Sequence, residues 1–80
     1  MAAFQFGPNA DFTLQPGRYA WTADVGEAPQ LPTRAQSCNG TLIAEKPLTA
    51  QEAAVEVLAW IRNATGWPTA ALLHGSIWTI

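Results

Sequence analysis

An 80-residue chain of 8.6 kDa has room for one hydrophobic core, so we expect a single domain spanning residues 1–80. Hydrophobic residues make up 49% of the chain and charged residues only 12%, about half the usual share of ~25%, which argues against a disordered chain. Four Lys and Arg against six Asp and Glu give a net charge of −2, and this argues against a protein that binds nucleic acid by neutralising phosphates.

The first half of the chain has the alternation of apolar and polar residues that is typical of β-strands. Phe4 and Phe6 flank one polar residue and predict a short edge strand, which the sequence Gly-Pro-Asn at residues 7–9 brings to an end. Residues 18–25 predict a longer strand with one apolar and one polar face. The apolar face consists of Tyr19, Trp21, Ala23 and Val25, and the polar face consists of Arg18, Ala20, Thr22 and Asp24.

Turn residues on both sides of this strand predict how it is connected. Pro16-Gly17 separates it from a shorter alternating run at residues 12–14, and Pro followed by Gly suits the central positions of a type II turn. We therefore predict a β-hairpin over residues 11–25. Two prolines within residues 26–33 predict a loop, since proline cannot pair within a central strand.

The dipeptide Asn39-Gly40 is the strongest short-range hairpin signal in the chain, because both residues tolerate positive φ angles. It separates two short runs, Arg34–Cys38 and Thr41–Glu45. We therefore predict a second hairpin here. The alternative is one long strand with a glycine bulge at residues 39–40.

A helix is predicted from Thr49 onward. Thr49 as the N-cap and Glu52 three residues later fit a capping box. Gly66 suits the left-handed residue that ends a helix, Pro68 prevents its continuation, and Trp67 is expected to pack back on the last turn. The apolar residues recur at steps of three and four and form one broad face: Ala53, Ala54, Val57, Leu58, Trp60, Ile61 and Ala64.

The end of the chain returns to β-structure. Ala70–Leu73 and Ser76–Ile80 are short apolar runs around His74-Gly75, and they predict a terminal hairpin or one bent strand of about ten residues. The order of elements predicts an α+β fold, a small antiparallel β-sheet of four to six strands with one amphipathic helix on one face. The other face of the sheet is then solvated, covered by residues 26–33, or covered by a partner.

Few residues have the patterns that catalysis or metal binding requires. Cys38 is the only cysteine and His74 the only histidine, so the chain has no internal disulfide and no cysteine-based zinc site. The serines fit no nucleophile motif, and the glycines do not cluster as a phosphate-binding loop. We expect no enzymatic activity, no metal and no cofactor. A small thiol hydrolase, with Cys38 as nucleophile and His74 as base, is the least favoured alternative.

No apolar run approaches the ~18 residues of a membrane span, and no basic segment precedes a signal-like one. We therefore expect a complete small cytoplasmic protein that makes no contact with membranes. It is expected to bind another protein and not nucleic acid, and to be a monomer or a homodimer. The surface predicted to bind the partner is the polar face of the strand at residues 18–25 (Arg18, Thr22 and Asp24), with Glu27 in the adjacent loop. This surface is expected on the side of the sheet that the helix does not cover.

The plan of the chain resembles that of the small phage-encoded anti-CRISPR proteins, especially inhibitors of type I systems. The matching features are the size, the mildly acidic balance, and the order of a β-hairpin, the helix TAQEAAVEVLAWIRNAT at Thr49–Thr65 and the terminal β segment AALLHGSIWTI. The alanine-rich usage suits a GC-rich host, in which type I-C inhibitors are known. The resemblance covers the whole chain in plan and rests on no diagnostic motif, so it assigns no functional residue.

This resemblance implies a stoichiometric inhibitor in the bacterial host cell that binds the Cascade surveillance complex and blocks its engagement of target DNA. Six acidic residues are few compared with the strongly acidic members that mimic DNA, so contact through the sheet or through aromatic residues fits better. The alternative from another functional class is a small structural or accessory phage or bacterial subunit. Such a subunit would assemble with itself through its open sheet face or an edge strand.

Overall fold

The described residues of the computed structural model, 3–27, 35–67 and 69–80, form six strands and one helix, and the fold is α+β as predicted. In chain order these are β1 (Phe4–Phe6), β2 (Thr13–Leu14), β3 (Gly17–Glu27), β4 (Ala35–Ala44), β5 (Leu48–Thr49), α1 (Ala50–Thr65) and β6 (Ala70–Thr79). Four strands form an antiparallel sheet in the order β1-β6-β3-β4, and β2 and β5 form a separate two-stranded sheet. The helix packs on one face of the larger sheet.

The alternation predicted for β3 is confirmed by its burial. Tyr19, Trp21, Ala23 and Val25 are all buried, and they belong to the core cluster together with Val57 and Ile61 of α1. Fully burying an aliphatic side chain such as Val25, Val57 or Ile61 stabilises the fold by roughly 1.5–3 kcal/mol. The apolar face of β3 therefore determines which side of the sheet the helix covers.

The predicted hairpin over residues 11–25 is wrong. Residues Thr13–Leu14 pair with Leu48–Thr49, and β3 pairs with β4 and β6 instead. Gly17 has a φ of 157°, a positive value that L side chains rarely adopt, and it is far from the φ near +80° that a type II turn requires at this position. The Tyr19 hydroxyl donates a hydrogen bond of 2.6 Å to the Gln15 carbonyl and holds the bend between the two sheets.

Two further predictions about the connections between strands differ from the structure. Gly26 and Glu27 are the last residues of β3, so the loop predicted over residues 26–33 does not include them. Residues 28–33 lie outside the described residues. The hairpin at Asn39-Gly40 is also wrong, because residues 35–44 form one strand whose pairing with β3 runs from Ala44 to Ala35 without a bulge.

Gly40 has a packing role within β4. It lies directly opposite Trp21, and a Cβ atom at position 40 would come within 2.7 Å of Cζ2 and 3.0 Å of Cε2 of the Trp21 indole. A glycine across from a large aromatic residue lets the ring cover the neighbouring strand. The Asn-Gly pair therefore accommodates a core side chain here and makes no turn.

The last segment is one bent strand, which is the second of the two predicted alternatives. Asp24 pairs with His74, whereas the next residue of β3, Val25, pairs with Leu72, so the register shifts by one residue at Leu73. Such a β-bulge bends the strand. The predicted edge strand at Phe4–Phe6 is confirmed, and it pairs with β6 through Phe6 and Gly75.

The helix begins and ends where the sequence predicts. The Thr49 side chain accepts a hydrogen bond from the Glu52 amide, and the Glu52 carboxylate accepts one from the Thr49 amide at 2.9 Å. Gly66 has the left-handed conformation, with φ 75°, and its amide donates to the Arg62 carbonyl. Trp67 packs back against the core as expected. The role predicted for Pro68 lies outside the described residues.

The predicted apolar face of α1 is wider than its buried face. Ala53, Val57 and Ile61 are buried and Ala54 and Leu58 pack against the core. Two members of the predicted face are exposed: Trp60, at 43%, and Ala64. Periodicity alone places Trp60 beside Ile61, but Trp60 contacts Trp21 only at the rim of the core, with the rings edge-to-face at 5.1 Å.

The capping box predicts how stability responds to acid. The Thr49 amide donates to the Glu52 carboxylate and lowers the pKa of Glu52 from its ordinary value of 4.5. Because the folded pKa is below the unfolded one, this carboxylate stabilises the fold above pH 4.5, and the contribution is lost as the pH falls through the lower folded pKa. Glu52→Gln is therefore expected to flatten the acid limb of the unfolding free energy measured by urea titration at several pH values. Glu56→Gln, one turn further along α1, is the control, and an equal flattening there would contradict the role of the cap.

Candidate functional site

The face of the four-stranded sheet opposite α1 is the candidate site. We call it the open face, and we define it by the side chains that strand alternation and register place there: Gln5, Arg18, Ala20, Thr22, Asp24, Ser37, Asn39, Thr41, Ile43, His74, Ser76 and Trp78. All of these described side chains are exposed or half-buried. The face is therefore accessible along all four strands.

Three of the four residues predicted to bind a partner lie together on the open face. Arg18, Thr22 and Asp24 are on the same side of β3, with Arg18 and Thr22 exposed and Asp24 half-buried. Residues two apart on a strand are separated by roughly 6.6 Å, so the three span about 20 Å. Glu27 is the last residue of β3 and is not in a loop. Alternation places it on the side of Val25, so it does not join the other three.

Asp24 is the centre of a polar row that crosses three strands. The Ser37 hydroxyl donates a hydrogen bond of 2.6 Å to Oδ1 of Asp24, and His74 Nε2 contacts Oδ2 at 2.7 Å. The His74 side chain is 74% exposed and that of Asp24 is 39% exposed, so solvent screens the contact and it contributes little to stability. Its effect is to hold the carboxylate in one place on the face.

The order of this row differs from that of a serine-hydrolase triad. In a triad the histidine lies between the other two residues and takes the proton of the serine. Here the carboxylate lies in the middle, and both Ser37 and His74 contact it. The serine hydroxyl is therefore occupied as a donor to Asp24 and has no contact with the imidazole.

The opposite end of the open face is apolar. Trp78 lies beside Ala20, and Ile43 lies beside Arg18. Ile43 is 66% exposed and Ile80, whose amide donates to the Arg18 carbonyl at 3.1 Å, is 69% exposed. Aromatic residues and arginine are enriched in protein–protein interfaces, where they fill the partner's pockets. This end therefore has the composition of an interaction surface.

Sequence reasoning missed most of the residues that surround Arg18, Thr22 and Asp24. A terminal hairpin would place His74 in its turn, whereas the structure has His74 within the single strand β6. Treating residues 70–79 as one strand would have placed His74, Ser76 and Trp78 on one face, because they alternate with Gly75, Ile77 and Thr79. Nothing in the sequence specifies which strand lies beside β3. No local pattern therefore indicates that Ser37 lies beside Asp24 or that Ile43 lies beside Arg18.

Cys38 and His74, the pair of the thiol-hydrolase alternative, lie on opposite sides of the sheet. Cys38 pairs with buried Ala23 and packs against the core on the side of α1. His74 pairs with Asp24 on the open face. The sheet itself separates the thiol from the imidazole, so these two residues do not form a nucleophile–base pair.

No group of three or more His, Cys, Asp or Glu residues in residues 3–27, 35–67 and 69–80 is placed to hold a metal ion. In the same part of the chain, no helix has the length and apolar character that crossing a bilayer requires. No family model matches the chain, and no curated protein or solved structure matches it either.

Proposed function

We propose that this protein acts without catalysis, by binding another protein through the open face. The observation that carries the proposal is the composition of this face. It joins an apolar end, with half-buried Trp78 and exposed Ile43, to a carboxylate, Asp24, that two hydrogen-bonding partners hold in place. A rigid strand surface costs little entropy to order on binding, and an aromatic side chain at one end of the face with a fixed charge at the other gives both affinity and specificity.

The partner we propose is the Cascade surveillance complex of a type I CRISPR–Cas system in the bacterial cytoplasm, and the result is loss of target-DNA engagement. The resemblance in plan to the anti-CRISPR proteins supports this choice. The charges of the open face favour docking on protein over imitation of DNA, because Asp24 is its only acidic side chain and Arg18 lies on the same face. Inhibition is therefore expected to be steric.

The direct test is binding of a target duplex by purified type I Cascade, with and without a molar excess of this protein. We expect DNA binding to be lost and the protein to co-elute with Cascade in gel filtration. Unchanged DNA binding without co-elution would overturn the Cascade assignment. The self-assembling subunit would then be the leading candidate, and the exposed edge of β4 favours it.

The open face itself is tested with matched variants. Arg18→Ala is expected to weaken binding by about tenfold or more, as truncation of an interface arginine does. Arg62→Ala removes the same exposed side chain from α1, on the other side of the molecule, and is expected to leave affinity unchanged. Asp24→Asn and Asp11→Asn form a second pair. Asp24→Asn, on the open face, is expected to weaken binding, and Asp11→Asn is the control that is expected to leave affinity unchanged. Biolayer interferometry measures these affinities. An equal loss of affinity in both members of a pair would contradict the prediction that the open face contacts the partner.

A further inference from the structure

The outer edge of β4 is unpaired over its whole length in the described part of the chain. The sheet order β1-β6-β3-β4 leaves β4 with β3 as its one neighbour, and β4 is ten residues long. In an antiparallel ladder every second residue directs both its amide and its carbonyl away from the neighbour, so about five residues of β4 offer free backbone groups at this edge. The other edge, β1, has three residues.

This edge lacks the features by which proteins prevent strand pairing. Natural edge strands are protected by lysine and other charges, by proline, by bulges or by short length. The ten residues of β4, AQSCNGTLIA, contain no charged residue and no proline, and their register with β3 has no bulge. β4 is thus a long, uncharged template for one more strand.

Apolar side chains flank the edge on both sides of the sheet. Ile43 is 66% exposed on the open face, and Trp60 of α1 is 43% exposed on the other side. Between α1 and the edge lies a cavity of about 310 Å³, lined mainly by apolar side chains such as Trp21 and Leu42, with Glu56 as the one charged residue in the described part of its lining. A strand added to β4 would place alternate side chains over this cavity, and the remaining ones would extend the open face.

We propose that β4 pairs with β4 of a second copy of this chain, so that the protein is a two-fold symmetric dimer with one continuous eight-stranded sheet. A two-fold axis normal to the sheet makes the two β4 strands antiparallel and keeps both helices on one side. Each residue of β4 then faces a residue of the same strand, and a charge near the axis would lie close to its own symmetry mate. The absence of charge from all ten residues of β4 makes the edge compatible with itself.

The residues that this pairing brings together fit one another. Antiparallel pairing about such an axis places open-face residues opposite open-face residues. On β4 these are Ser37, Asn39, Thr41 and Ile43, which are small polar or aliphatic. Cross-strand pairs of hydroxyl and β-branched side chains stabilise sheets. The inference does not rest on the proposed function, because the pairing groups belong to the backbone of one edge and not to the open face as a whole.

Sedimentation velocity at protein concentrations that span about a hundredfold tests the dimer, because mass action makes the dimer fraction rise with concentration. The edge variant is Asn39→Lys with Thr41→Lys, two exposed positions on β4. The control is Asn63→Lys with Thr13→Lys, which makes the same exchanges at exposed positions outside β4. We expect wild type and control to dimerise alike, and the edge variant to have a dimer dissociation constant raised about tenfold or more.

Hydrogen exchange identifies the contact and guards against misfolded variants. In wild type, the outward amides of β4 are expected to exchange more slowly as concentration rises, while those of β1 stay unchanged. A wild type that stays monomeric throughout, an edge variant that dimerises as tightly as wild type, or a dimer that does not slow β4 exchange would each overturn the proposal. If the wild type forms this dimer but does not block DNA binding by Cascade, the result counts against the proposed function and leaves the dimer proposal intact.

Discussion

Trp21→Ala is expected to lower the free energy of unfolding by about 3–5 kcal/mol. Trp21 is 1% exposed, is the largest of the fully buried side chains, and lies on the helix side of the central strand β3. Its indole covers Gly40 on the neighbouring strand, so the surrounding backbone cannot collapse easily into the space that alanine leaves. Natural domains have unfolding free energies of about 5–15 kcal/mol, so this loss is a large fraction of the stability of a small domain.

The control for this prediction is the other ring of the same aromatic pair. Trp60 meets Trp21 edge-to-face at 5.1 Å and is 43% exposed. Trp60→Ala abolishes the same ring contact and is expected to cost about 1 kcal/mol. The difference between the two variants in urea unfolding, followed by far-UV circular dichroism, therefore measures the burial of Trp21. Equal losses would mean that the main aromatic contribution to the core comes from the ring contact and not from burial in the sheet.

Local signals in the sequence predicted the parts of this fold that local interactions determine. The helix from Ala50 to Thr65 begins and ends at residues whose side chains and backbone make the cap bonds themselves. The two faces of β3 follow from its two-residue alternation, which required no knowledge of the neighbouring strands. Arg18, Thr22 and Asp24 could be placed on one face for the same reason.

The partners of each strand could not be predicted, because they depend on contacts between distant residues. Residues 13–14 look like the first arm of a hairpin, but they pair with Leu48–Thr49, more than thirty residues along the chain. Asn39-Gly40 is typical of a turn, and its glycine instead makes room for Trp21. The open face therefore emerges only when β4 and β6 are placed beside β3, which brings Ser37 and His74 to Asp24.

Gly75→Ala is expected to destabilise the fold by about 3 kcal/mol, the upper part of the range for overpacking. Gly75 lies opposite Ala23 and one residue past the His74 that contacts Asp24. A Cβ atom at position 75 would collide with the Thr22 carbonyl oxygen and would come within 3.0 Å of the Ala23 Cα. These are backbone atoms of the central strand and cannot rotate away, so β6 must move away from β3.

Gly7→Ala separates this collision from the general effect of replacing glycine. No atom lies within 4 Å of a Cβ built at Gly7, and its φ is not positive, so its expected change in unfolding free energy is within about 0.5 kcal/mol. Movement of β6 also draws His74 away from Asp24, so Gly75→Ala is expected to weaken partner binding even at temperatures where it remains folded. A Gly75→Ala variant as stable as Gly7→Ala would mean that β6 and β3 do not approach closely at this position. The contact between His74 and Asp24 would then lose its structural basis.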